Sequence, residues 1–153
     1  MKVLVQRVLR ASVRVGGEEV GSIGRGLLVF LGVESGDDER TADWYARRVA
    51  AMKWFPDESG GLWRKTVGEV GGAALVVSQF TLAARTRKGR RPSFDPAAPP
   101  ERAEALYRRF LGTLRSAGVP TSEGRFGARM EVELVNDGPV TFLLDGPGCG
   151  EAP

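Results

Sequence analysis

The 153-residue chain contains no histidine. That absence excludes hydrolases built on a Ser-His-Asp or Cys-His device and zinc sites that rely on imidazole. Proton transfer, if the chain is an enzyme, must come from carboxylates, hydroxyls, amines, water or the substrate itself. Cysteine is nearly absent too. Cys149 stands alone in a Gly-rich tail, so no intrachain disulfide can form, which suits a reducing cytoplasm. No apolar run reaches membrane-spanning length, and the opening "MKVLVQRVLR" is broken by Gln6 and Arg7, so it reads as a first strand rather than a leader. Charge of one sign is also missing: 22 basic against 19 acidic residues leave a net +3, which permits a polyanionic partner without demanding one.

What is present suits one globular domain, with 42% hydrophobic and 27% charged residues and no internal repeat or low-complexity linker. "KVLVQRV" and "ASVRV" alternate like strands; a "GGEE" turn follows, then the continuous apolar run "GLLVFLGV" of a buried strand. Ala42, Tyr45, Ala46, Val49 and Met52 recur at helical spacing behind a cap at Asp37 or Asp38. "AALVVSQF" is a second buried strand, and a second helix opens at Pro99-Pro100 with a face of Ala103, Leu106, Tyr107, Phe110, Leu111 and Leu114. "PTSEGRF", "MEVELVN" and "VTFLLD" read as three more strands, the last two folded back on each other through Asn136-Asp137-Gly138-Pro139. The expected fold is α/β: two strands, two strand-helix units, then three strands, in layers with sheet edge to spare for a partner subunit.

Four stretches bear polar chemistry. In "SQFTL", Ser78 to Leu82, a buried strand ends in polar residues and leaves backbone N–H groups free for a ligand; the plain alternative is a strand terminus. "RTRKGRR" crowds Arg85, Arg87, Lys88, Arg90 and Arg91 into one loop, which matches a phosphate backbone or is simply solvated. "GRFGARM" offers Phe126 and Met130 as a stacking surface or as core plugs. In "NDGPVT", Pro139 removes a ladder donor where a strand resumes, and with only about 5–6% of X-Pro bonds cis, sequence alone assigns no isomer.

Together, "VSQFTL", "KGRRPSF", "GRFGARM" and "LVNDGPVT", preceded by "MKVLVQRV" and "GLLVFLGVE", resemble the D-aminoacyl-tRNA deacylase family from end to end, over residues 1–147, with 148–153 as a short tail. "SQFTL" and "NDGPVT" match the family's two signature motifs. The stretch "GLWRKTV" departs from the family pattern, so the pocket wall expected from Leu62 to Lys65 differs here.

The resemblance implies an editing hydrolase that cleaves the ester between a D-amino acid, or glycine, and the 3′ end of tRNA, glycyl-tRNA(Ala) included. It implies a cytoplasmic homodimer with cross-subunit active sites and no metal or cofactor. Ser78, Gln79, Phe80 and Thr81 would form the catalytic wall, with the terminal 2′-hydroxyl of the tRNA as a catalytic group and backbone N–H groups as oxyanion donors. Phe126 and Met130 would hold the terminal adenosine, and Arg85, Arg87, Lys88, Arg90 and Arg91 the tRNA phosphates. Gly138 and Pro139 match the family's Gly-cis-Pro pair, which rejects L-substrates in the partner's site. Two rivals stand beside this reading: an acyl-enzyme on Thr81, and a non-catalytic tRNA-binding module.

Overall fold

The computed structural model describes residues 1–87, 89–144 and 146; Lys88, Cys149 and the 148–153 tail lie outside them. The elements run β1 (Lys2–Val15), β2 (Glu18–Ile23), β3 (Gly26–Gly32), α1 (Glu39–Ala51), β4 (Ala73–Ser78), α2 (Pro100–Ser116), β5 (Thr121–Glu123) and β6 (Glu131–Leu143). The α/β class and both helices are as expected. The strands are pieced differently at three places.

First, "KVLVQRV" and "ASVRV" are one 14-residue strand. Its N-terminal half pairs antiparallel with β3 and its C-terminal half with β2, while β6 runs along the opposite edge. Second, "GGEE" supplies both a turn and the start of β2, whose six residues were hidden by the shortage of apolar side chains in "EEVGSI". Third, "MEVELVN" and "VTFLLD" do not fold back on each other; both belong to β6 and both pair with β1. The motif read as a hairpin turn is a bulge. Between the pairs Gln6–Thr141 and Val8–Asn136, β1 advances two residues and β6 five. The surplus extrudes Asp137 to Val140 opposite Arg7.

The sheet order is β2-β1-β3-β4-β5, with β3, β4 and β5 parallel. The ends approach each other, since the Ser22 N–H donates to Ser122 Oγ at 3.2 Å, and the sheet is barrel-like. β3 is buried on both faces, which explains its unbroken apolar run. Leu27, Val29 and Leu31 face the helices with Val49, Trp54 and Phe110; Leu28 faces inward with Val8, Val13, Leu75 and Val77. Burying each such Leu or Val contributes about 1.5–3 kcal/mol, so the ends of β3 and β4 are held from two sides. Asp38 caps α1 by accepting the Thr41 N–H at 2.8 Å, and α1 packs on α2. α2 begins with Pro100 at its first turn and buries Leu106, Tyr107, Phe110, Leu111 and Leu114.

Candidate active site

The parallel β3–β4 ladder runs one residue past β4: the Gln79 N–H donates to the Leu31 carbonyl at 2.8 Å. The chain then coils into a short 3-10 turn, Phe80–Ala83. This turn lies directly on the end of β3. A Cβ at Gly32 would stand 2.9 Å from the Gln79 carbonyl oxygen and 3.0 Å from Leu82 Cβ, closer than ordinary contacts allow. Glycine there is a requirement of close approach. The Gln79 N–H is spent on Leu31, but the next two backbone N–H groups, of Phe80 and Thr81, meet no acceptor among the described residues. Two adjacent free donors thus stand where a deeply anchored strand ends.

Phe80 lines a cavity of about 470 Å³, and Thr81 follows it just outside the lining. Ser78, Gln79 and Phe80 form one wall; Pro100, Ala103 and Tyr107 of α2 form another; Phe126, Gly127, Ala128 and Met130 close it from the chain leading into β6. Leu31, Val33 and Val77 are its apolar floor. None of the lining side chains carries a formal charge, and Tyr107 is the one titratable group among them. Its hydroxyl donates to the Val76 carbonyl at 2.9 Å, and burial pushes its pKa well above the usual phenol range, so it is a fixed neutral donor. Phe126 is half-buried with its ring 5.8 Å from that of Tyr107. Thr81 is outside the lining, and its hydroxyl accepts a hydrogen bond from the Gln79 side-chain amide.

The basic loop is a small hairpin beside this cavity. Arg85 and Ser93 exchange backbone hydrogen bonds at 2.8 and 3.0 Å and close it. Arg85, Arg87, Arg90 and Arg91 are exposed, and none forms an ion pair among the described residues. Arg85 and Arg87 line a separate groove with Ser93 and Asp95.

Gly138 and Pro139 do not line the cavity of their own chain. The peptide between them is cis, and both residues are exposed on the β6 bulge. Gly138 has no positive φ, and a Cβ there would meet nothing nearer than Asn136 Oδ1 at 3.7 Å. The bulge is tied down at its flanks. Asn136 Nδ2 donates to the carbonyls of Arg7 (2.9 Å) and Val140 (3.2 Å). The buried Arg7 donates from Nη1 to the Trp54 carbonyl at 2.7 Å, and its Nε stands 2.8 Å from Asp137 Oδ2 in an ion pair out of line for a hydrogen bond. Leu62 to Lys65 do not reach the cavity either; Trp63 packs edge-on against Phe142 of β6, 5.6 Å between centroids.

The structure therefore gathers Ser78, Gln79, Phe80, Phe126 and Met130 at one cavity, leaves Thr81 at its rim, and sets Gly138 and Pro139 apart. Sequence reasoning missed Tyr107 as a wall, because its place on the periodic face of α2 reads as core. It also missed Arg7, which in sequence looks like the other arginines of β1, Arg10 and Arg14, but is buried where they are exposed.

The family model for D-Tyr-tRNA(Tyr) deacylase matches residues 4–145. The chain belongs to that family of hydrolases, as its motifs led one to expect. It is 55% identical over 145 residues to the D-aminoacyl-tRNA deacylase of Geobacter sulfurreducens, with 95% of each chain covered, and 57% identical to that of Thermomicrobium roseum, covering 95% of this chain and 94% of the relative. A solved structure described as c-Myc DNA unwinding element binding protein superposes with a TM-score of 0.89 at 44% identity, covering 97% of this chain and all of the other. A probable eukaryotic D-amino acid tRNA deacylase shares the fold at a TM-score of 0.80 and 20% identity, over 94% and 97% of the two chains.

Proposed function

We propose that this chain hydrolyses the ester joining a D-amino acid, or glycine, to the 3′ end of tRNA, and that it spares L-aminoacyl-tRNA. The observation that carries the reading is an uncharged cavity lined by Phe80, whose N–H is unused among the described residues, with the equally unused N–H of Thr81 next along the chain, in a member of this family. Water attacks the ester carbonyl; the carbonyl oxygen takes up the negative charge and is received by those two N–H groups; the bond to the ribose oxygen breaks, releasing the amino acid and the tRNA hydroxyl. Since no lining side chain is a base near neutral pH, the proton is handled by the substrate's own terminal 2′-hydroxyl. Thr81 is poorly placed as a nucleophile, because no carboxylate or amine lies in the cavity to activate it and its oxygen already accepts from Gln79.

The terminal adenosine lies against Phe126 and Met130, and the phosphates meet the arginine hairpin. Gly138 and Pro139 serve the partner's site in a homodimer. Supporting this, nothing among the described residues requires glycine at 138, β6 pairs only with β1 among the described strands, and Leu9 and Leu143 are more than half exposed on those two strands. Backbone carbonyls at the bulge would accept from the α-ammonium of a D-residue and collide with the side chain of an L-residue, so selection works by rejection. No described helix is long and apolar enough to cross a membrane, and a tRNA-editing role belongs in the cytoplasm. The test is release of labelled D-tyrosine and L-tyrosine from the same tRNA by the purified protein. Hydrolysis of the D-ester alone is expected; equal rates reject editing, and no hydrolysis with intact tRNA binding leaves a non-catalytic module.

A further inference from the structure

At the mouth of the cavity two aromatic rings lie open to solvent where the fold has no use for them. Phe80 is 59% exposed and Phe94 37%, and they meet edge-on with centroids 5.1 Å apart at an interplanar angle of 62°. Phe80 also lines the cavity, so the pair leads directly out of it. Phe94 directly follows the arginine hairpin, whose residues 85 and 93 are bridged at its base. An exposed aromatic surface is costly in water and is kept where something flat covers it. The chemistry beside it says what: four exposed arginines, none in an ion pair among the described residues, call for a polyanion. Aromatic faces interleaved with cations are the means by which proteins hold unpaired nucleotides, with bases stacked and phosphates neutralised.

We propose that the Phe80–Phe94 pair is a stacking site for the base of the penultimate nucleotide of the tRNA 3′ end, the unpaired base immediately before the terminal adenosine. The inference rests on the deacylase reading for the identity of the RNA, and it adds a subsite outside the cavity. Stacking ignores base identity, so this subsite holds any tRNA by its common end and measures the strand's direction out of the cavity. The arginine hairpin then takes the phosphates on either side of the stacked base.

The test uses binding of uncharged RNA, which does not depend on catalysis. An acceptor-stem RNA with its intact single-stranded 3′ end is compared with the same RNA carrying an abasic sugar at the penultimate position, against the full chain and against Phe94→Ala and Phe94→Tyr. The unaltered protein should prefer the intact end by about 5- to 150-fold, the range of one base stacked on an aromatic ring. Phe94→Ala should bring that ratio close to one, and Phe94→Tyr should restore it. A ratio near one for the unaltered protein overturns the proposal, as does a ratio that survives Phe94→Ala. Equal weakening of both RNAs by Phe94→Ala, with a shift in sedimentation, also overturns it and makes the pair a subunit contact. Failure to hydrolyse D-aminoacyl-tRNA would strike the deacylase reading while this ratio still decided the stacking site.

Discussion

Two glycines break two strands in this molecule, and they do so for opposite reasons. Gly32 ends β3 where the Phe80–Ala83 turn comes down upon it, and a Cβ would strike the Gln79 carbonyl oxygen at 2.9 Å. Gly138 sits on the β6 bulge with no positive φ and no atom within 3.7 Å of where its Cβ would be. The first glycine is demanded by the chain's own packing. The second meets no such demand among the described residues, and its proposed role therefore lies outside the chain. One region is shaped by the core beneath it; the other, on the proposed reading, would serve a neighbouring subunit's site.

The contrast is most sharply tested by the substrate. A D-aminoacyl-tRNA ending in 2′-deoxyadenosine should react about 10²–10⁴-fold more slowly, the usual cost of losing a proton-transfer group, whereas Thr81→Ala should keep most of the rate. Single-turnover hydrolysis measures both, and an acyl-enzyme trapped on Thr81 would reverse the assignment. Next comes Gly138→Ala. Its thermal midpoint should match that of the unaltered protein while D-ester hydrolysis falls about 100-fold, as expected for a small displacement at the reacting centre. A drop in stability instead would mean that the bulge answers to its own chain after all.

Gly32→Ala should behave in the reverse way, losing about 1–3 kcal/mol in denaturant unfolding as the turn is forced off β3, with activity declining alongside. On the hairpin, neutralising Arg87 and Arg90 together should flatten the plot of log affinity for tRNA against log salt by about 1.4, at about 0.7 for each single-strand phosphate contact. An unchanged slope would leave those arginines merely solvated. The smallest effect belongs to the helices, far from both glycines. Asp43 accepts two hydrogen bonds from Arg109, at 2.8 and 2.7 Å, and that contact holds its pKa at about 2. Because the folded pKa is depressed, the stabilisation is complete above about pH 4 and is lost as pH falls through 2. Asp43→Asn should therefore cost about 1 kcal/mol at pH 6 in urea unfolding, with the difference vanishing near pH 2.

Regular elements were legible wherever one physical signal ran unbroken. The apolar run of β3 and the periodic faces of α1 and α2 fell where spacing placed them, except that Met52 caps α1 instead of lying within it, and of the two caps expected, Asp37 or Asp38, Asp38 is the one used. The long strands were misread at their bulges. Val8-Leu9-Arg10 interrupts the alternation of β1 because Leu9 is the extra residue between the Val8–Asn136 and Arg10–Val135 pairs. Asp137-Gly138-Pro139 has the composition of a hairpin turn, and composition does not distinguish a turn from an extrusion whose strand resumes on the same neighbour. The candidate site was legible only through its motifs. Local pattern gives Ser78 and Gln79 as a strand end and no more, and it gives Tyr107 as one more apolar-face residue of α2. What joins them is the parallel crossover of the fold, a relation between residues 28 and 29 positions apart in sequence that no local period encodes.

The uncharged cavity wall has a pharmacological consequence. Reagents that silence hydrolases by modifying an activated serine, a thiolate, an imidazole or a carboxylate find no such group among Ser78, Gln79, Phe80, Tyr107, Phe126 and Met130. On the proposed reading, the reactive chemistry would arrive with each substrate and leave with each product. Covalent warheads would then pass this protein by, and an effective inhibitor would have to imitate the end of the nucleic acid, bringing with it a linkage that water cannot cut.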